Sequence, residues 1–170
     1  MLKTLVGDIT KANTDVIVNA SNGIGFMGGI IGKHIKCEGV AESIHYETKG
    51  IVEKECKQKI KIHKFIPAII TPVKTGKIII TGAGCLQCNW VFHAVTMVYP
   101  GTWATYKTVR KLTKQIIEEA RNIGAKSIAI PLLGTGVGHL KAKKVFDIYK
   151  ESFSEINDID IYVYVLKELK

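Results

Sequence analysis

Twice in this chain a short β-branched run breaks directly into glycines and then into helical patterning. Val16-Ile17-Val18 leads into Asn19-Ala20-Ser21-Asn22-Gly23-Ile24-Gly25-Phe26-Met27-Gly28-Gly29, and Ile128-Ala129-Ile130-Pro131-Leu132-Leu133 leads into Gly134-Thr135-Gly136-Val137-Gly138. A buried strand that empties into a turn with little side-chain bulk and continues as a helix is the repeating unit of α/β folds. Such a turn lets backbone N–H groups approach a phosphate at a helix N-terminus, where negative charge is already favoured. Two such turns at the carboxyl ends of strands face each other across the sheet edge, where α/β sheets bind ligands.

The remaining patterning agrees with that frame. Strands are expected at Leu2–Val6, Val16–Val18, Ile78–Thr81, Trp90–Val95, Ser127–Ile130 and Ile161–Leu166, most of them β-branched runs bounded by Gly, Asp, Asn or Pro. Val109, Leu112, Ile116, Ile117 and Ala120 recur at helical spacing between Thr105 and Asn122, with Gly124 where a helix C-terminal glycine belongs. Val145, Ile148, Tyr149, Phe153 and Ile156 mark a C-terminal helix, and Val40, Ile44 and Ile51 a less regular helical region after the first glycine loop. The expected fold is a three-layer α/β/α sandwich around a mixed, largely parallel sheet of about six strands. In Lys57–Pro72, Ile60, Ile62, Phe65 and Ile66 suit a strand, an edge hairpin or a packed loop, and Pro67 and Pro72 argue against a central strand.

At 170 residues and 46% hydrophobic composition the chain is expected to fold as one domain over residues 1–170. No apolar run approaches the roughly 18–20 residues needed to span a bilayer, so no membrane partner is expected. The first residues lack the pattern of a signal peptide, and a cytoplasmic protein is the expectation. Lys and Arg number 24 against 15 Asp and Glu, a net charge of +9 that attracts anions, nucleic acid included. The lysines are scattered, with only Lys57, Lys59, Lys61 and Lys64 locally dense, so a solvated surface explains them equally well. Cys85-Leu86-Gln87-Cys88 has the spacing of half a zinc site or a redox pair. Only His93 lies near enough in sequence to add a ligand, and the segment does not open a thioredoxin-like helix. Reduced structural thiols, with no metal and no cofactor, are the expectation.

Gly23-Ile24-Gly25-Phe26-Met27-Gly28 matches the dinucleotide fingerprint GxGxxG. The Rossmann unit also requires an acidic residue at the end of the next strand, about 20 residues on. Here Glu42 and Glu47 fall in helical patterning instead, so the phosphate-binding role survives and the Rossmann version does not.

Taken together, Gly7-Asp8-Ile9-Thr10, Asp15-Val16-Ile17-Val18-Asn19-Ala20-Ser21-Asn22, Met27-Gly28-Gly29, Thr75 to Leu86, Trp90 to Val95 and Ile130 to Val137 resemble a macrodomain. These blocks occur in family order over most of the chain, weakest at Lys57–Ile70. The resemblance implies binding of ADP-ribose or a related nucleotide. It implies that the Asp8 carboxylate accepts the adenine amino group, with the Ile9 backbone beside it. Asn22 would hydrogen-bond the distal ribose, and Gly28, Gly29 and Ile30 would lie near that ribose and the diphosphate. Thr135, Gly136, Val137 and Gly138 would close over the diphosphate, and Ala20 would line the ligand beside Asn22. Asn19 reads instead as a buried amide tying loops together.

The chain departs from the family pattern where catalysis is decided. In Gly28-Gly29-Ile30-Ile31-Gly32-Lys33, Gly32 occupies the position at which the hydrolytic subgroup carries a water-positioning Asp. The resemblance to the subgroup that uses Lys and Asp implies that Lys36, ahead of Lys33, would supply the amine, yet Gly138 stands at its Asp position. Asn22 and Lys36 are the catalytic candidates that remain, with His34 and His139 as titratable neighbours. Three functions stay open at this point. The first is a binding module for ADP-ribose or a derived metabolite or modification. The second is a hydrolase that removes ADP-ribose from protein or nucleic acid or deacetylates O-acetyl-ADP-ribose. The third is a basic nucleic-acid-associated protein.

Overall fold

A computed structural model describes residues 1–35, 39–60 and 71–166. Six strands, β1 (Leu2–Val6), β2 (Val16–Asn22), β3 (Ile78–Gly82), β4 (Trp90–Met97), β5 (Ser127–Pro131) and β6 (Asp160–Val165), form one sheet in the order β1-β6-β5-β2-β4-β3. All neighbouring pairs are parallel except β3 with β4. Helices α1 (Gly29–Gly32), α2 (Val40–Glu47), α3 (Ile51–Ile60), α4 (Tyr106–Asn122) and α5 (Ala142–Phe153) complete the layers. This is the mixed, mostly parallel α/β sandwich that the sequence pattern implies. Of the segment Lys57–Pro72, the first four residues end α3, and residues 61–70 lie outside those described.

The two faces of the sheet follow from strand alternation. Val16, Val18, Phe92, Ala94, Ile128, Ile130, Ile161 and Val163 point into one core with α4 and α5, which present Val109, Leu112, Ile116, Val145, Ile148 and Tyr149. Ile17, Val91 and Ala129 point the other way, against Met27, Ile44 and Val52 from the first glycine loop, α2 and α3. α4 starts on Thr105, whose hydroxyl accepts the Thr108 N–H at 3.1 Å, and ends before Gly124, so its bounds are those the spacing predicts.

Strand β2 runs four residues beyond the apolar Val16–Val18 because its polar residues are paired laterally inside the protein. Asn19 and His93 are register partners on β2 and β4, both fully buried on the α2/α3 side of the sheet. Asn19 Nδ2 donates to His93 Nδ1 at 3.1 Å, which leaves the ring proton on Nε2, donated to Thr81 Oγ1 of β3 at 2.9 Å. Burial, aided by Lys59, pushes the His93 imidazole down to about 3, so the ring is neutral. A polar ladder thus crosses three strands, and Asn19, expected to tie loops together, joins strand to strand instead.

Candidate functional site

Because β1, β6, β5, β2 and β4 are mutually parallel, the segments after β1, β2, β4 and β5 all emerge at one edge of the sheet. β2 and β5 are neighbours, yet the chain leaves β2 towards α2 and α3 on one face and leaves β5 towards α5 on the other. Adjacent parallel strands whose connections part in this way open a crevice at their carboxyl ends. The two glycine loops flank that crevice.

The first loop is shaped by Asn22. Its Nδ2 donates to Phe26 O at 2.8 Å, while Oδ1 accepts the N–H groups of Phe26 at 3.1 Å and Ile24 at 3.3 Å. The amide expected to reach a ribose is thus engaged as the staple of its own loop. Gly28 and Gly29 follow with φ of 133° and 59°, values that side-chain-bearing residues rarely adopt. Gly29 is turned inward: its N–H donates to Glu53 Oε2 at 3.3 Å and its carbonyl lies 2.7 Å from His45 Nε2. Met27 N–H donates to the same Glu53 oxygen at 3.1 Å. His45 Nδ1 lies 2.9 Å from Oε2, and Lys57 pairs with Oε1 one helical turn on. Ile30 is 82% exposed on α1 beside the loop, and Ala20 is half-buried in β2. Lys36 lies outside the described residues.

Asp8, after β1, caps the 3-10 turn Ile9–Lys11: Oδ1 accepts the Thr10 N–H at 2.9 Å and the Thr10 hydroxyl at 2.7 Å. Ile9 is buried beneath it. The second loop is tied at its base and open at its tip. Thr135 Oγ1 donates to Leu132 O at 2.8 Å, Leu140 N to Gly134 O at 3.0 Å, and Ala104 N to Gly138 O at 3.3 Å. The Tyr149 hydroxyl donates to Pro131 O at 2.7 Å and accepts from Leu133 N at 3.0 Å, fixing the point where β5 becomes loop. Gly136 faces open space and Val137 is exposed. His139 holds a φ of 58°, uncommon for a residue with a side chain, and its ring packs against Trp103 with centroids 4.9 Å apart. Trp103 itself is 75% exposed.

Glu53, His45 and Trp103 are missing from the residues singled out in the sequence. For Glu53 a signal existed: a carboxylate adjoining Val52, on the side of α3 that carries Cys56 and Ile60 inward. Trp103 stands alone in a polar turn and carries no pattern.

A second cleft, of about 510 Å³, lies at the opposite edge of the sheet between residues 13–15, 86–89 and Ser127. Its carboxylate, Asp15, accepts from Lys126 N at 2.8 Å and from Ser127 N and Oγ at 3.0 Å, bonds that hold it below the usual carboxylate range. That group is occupied in joining β2 to β5 at their amino ends. Cys85 and Cys88 are free thiols, and no cluster able to hold a metal occurs among the described residues.

The family model of the Macro domain matches residues 18–149, well over half of the chain. A macro domain-containing protein of Streptomyces coelicolor is 32% identical over 137 residues, covering 79% of this chain and 72% of that protein. The Oceanobacillus iheyensis macrodomain in its structure with ADP superposes with a TM-score of 0.78 at 26% identity, covering 98% of this chain and 83% of that one. A mutant of the same macrodomain with ADP-ribose superposes equally well, at 25% identity, with 98% and 86% of the two chains covered. The macrodomain of Mycobacterium tuberculosis DarG shares the fold at a TM-score of 0.78 and 21% identity, covering 96% and 97% of the two chains. The chain belongs to the macrodomain family.

Proposed function

We propose that this chain binds ADP-ribose, or a metabolite or modification derived from it, along the carboxyl edge of the sheet from Asp8 to the first glycine loop. The observation that carries the reading is the placement of both glycine loops at the divergence of β2 and β5, with Asp8 on the same edge. β1 and β2 are three strand positions apart in the sheet. At about 4.8 Å per position, a ligand touching Asp8 and the Gly28–Gly29 turn has to extend over about 14 Å. A base at one end, a sugar at the other and a diphosphate between them suit that length. The Oceanobacillus relatives seen with ADP and ADP-ribose support the same ligand class.

Calorimetric titration with ADP-ribose tests the reading. Asp8→Ser keeps a side chain able to cap Thr10 but no longer reaches an adenine amino group. We expect binding by the wild type and at least a tenfold loss in the variant, about 1.4 kcal/mol, with little change in Tm. Absence of heat with the wild-type protein would refute it.

A second reading is that the same crevice removes ADP-ribose from protein or nucleic acid, or deacetylates O-acetyl-ADP-ribose. It draws on His139, an exposed imidazole held in a left-handed backbone conformation next to Gly138. Release of ADP-ribose from modified acidic side chains and from modified DNA, measured in parallel, should then depend on His139. Turnover unaffected by His139→Gln would exclude this residue as the acid or base.

A further inference from the structure

The first glycine loop contains an anion of its own. Glu53 is 4% exposed and projects from α3 beneath the turn, so its charge is removed from water and has to be matched by donors. Three donors match it, the N–H of Met27, the N–H of Gly29 and the Lys57 ammonium, and the His45 ring packs against it with Nδ1 2.9 Å from Oε2. His45 is buried too, and its second nitrogen faces the carbonyl of Gly29, so carboxylate and imidazole hold the N–H and the C=O of one glycine residue, on the two peptide units that flank its Cα. Gly29 sits in left-handed backbone, and Gly28 before it has a φ of 133°. A two-glycine turn of that kind has many alternative shapes and loses much freedom on being fixed. The space around it is tight: a Cβ at Gly32 would lie 3.1 Å from His45 Cδ2, and one at Gly28 3.3 Å from Gly32 Cα.

We propose that Glu53, with His45, is the positioning residue of the ligand loop. It holds the Met27–Gly29 turn in one shape before ligand arrives, and it takes the place of a phosphate for two N–H groups that a glycine loop would otherwise offer. This rests on the reading that the crevice binds ADP-ribose, and it sharpens that reading. At this turn the diphosphate is met by groups other than the Met27 and Gly29 N–H. The affinity at the loop comes from its preorganisation by a buried carboxylate.

Amide hydrogen exchange and nitrogen–proton spectra of the full chain separate the two levels, compared for wild type, Glu53→Leu and Glu53→Gln. Leu keeps side-chain bulk and removes every acceptor; Gln keeps one acceptor oxygen. In Glu53→Leu the Met27 and Gly29 amides should exchange at least tenfold faster relative to amides in the middle of α4, and ADP-ribose should bind at least tenfold more weakly. In Glu53→Gln both amide protons should shift upfield, as expected for a neutral acceptor, while most of the protection and binding return. If Glu53→Leu fails to fold, the upfield shift and partial loss of protection in Glu53→Gln give the same reading. Unchanged relative exchange at the two amides would overturn the proposal even if binding fell. Faster exchange with unchanged affinity would overturn the claim that the turn's shape limits binding. Failure of the wild-type protein to bind ADP-ribose would instead remove the functional reading, and would be seen without any variant.

Discussion

Mild acid should find the ladder at the centre of the sheet before it finds anything else. His93 is fully buried, accepts from Asn19 and donates to Thr81, and its imidazole is pushed from the usual 6.5 down to about 3, chiefly by burial. Once unfolded, it titrates near 6.5. Between those two values the unfolded chain binds one more proton than the folded one, so stability rises with pH by about 1.4 kcal/mol per unit. The contribution from keeping His93 neutral is therefore complete above about pH 6.5 and is lost as pH falls towards 3. At pH 5.0, one and a half units below the unfolded value, the loss amounts to ~2 kcal/mol. Asp15 and Asp158, whose carboxyls are held low, weaken the fold only at lower pH, as they approach and pass an unfolded value near 3.9. Urea unfolding followed by circular dichroism between pH 5.0 and 7.5, for wild type and His93→Gln, isolates the effect. The Gln amide still donates to Thr81 and does not titrate, but it leaves the Asn19 amide short of an acceptor, which costs ~1–3 kcal/mol at every pH. The stability gap between the two proteins should therefore shrink by ~2 kcal/mol from pH 7.5 to pH 5.0. Parallel pH curves would show that the folded protein protonates this ring freely and would refute the argument.

Three further outcomes follow from geometry. Tyr149→Phe removes a hydroxyl that serves both Pro131 O and Leu133 N inside the core; it should cost ~1–3 kcal/mol in urea unfolding and loosen the second loop, and a neutral result would contradict the bridging role. Gly138→Ala places a Cβ 2.6 Å from Gly134 O and 2.8 Å from the Ala104 methyl, whereas Gly136→Ala meets nothing within 4 Å. The first should destabilise by ~1–3 kcal/mol and weaken ADP-ribose binding, the second should leave stability within ~0.5 kcal/mol, and equal effects would show the loop base to be looser than described. Among the described thiols, exposed Cys85 should alkylate first at pH 8, because burial raises Cys88 to about 11 and Cys56 to about 12; mass spectrometry that found Cys56 labelled first would contradict its burial.

Strand positions were legible wherever the pattern was apolar. Leu2–Val6 is the observed strand to the residue, and the spacing from Val109 to Ala120 with Gly124 beyond it bounds α4. The extension of β2 through Asn19 and Ser21 was not, because it is held from the neighbouring strand β4, by His93 for the Asn19 side chain and by the Thr96 hydroxyl for the Ser21 backbone carbonyl. Of the site, the backbone half was readable, since glycines after strands announce a loop by local sequence alone. What holds the loop was not readable. Glu53 lies 24 residues beyond Gly29 and 26 beyond Met27, and no spacing rule connects a helix residue to a turn two elements earlier. Asn22 shows the same limit from the other side, a residue type chosen for its hydrogen-bonding capacity that uses this capacity within its own turn.

The order of strands carries a consequence for how the protein is made. Among the described residues β1 has one neighbour, β6, and its residues Leu2 to Val6 pair with Ile161 to Val165. β1 therefore waits, exposed along both edges, until β6 has been made and can close against it, while β2 must wait for β4 and then β5. Pairings at such sequence separation are slow to form, and the unpaired edge of a waiting strand is a template for wrong partners. Lys3, the second residue of β1, places a charge on that strand during the wait. The crevice between the glycine loops is complete only when β5 has joined β2, and Asp8 reaches the same edge only when β6 has brought β1 into the sheet. A ribosome-bound chain stalled before Ser127 would expose the first glycine loop with nothing to face it.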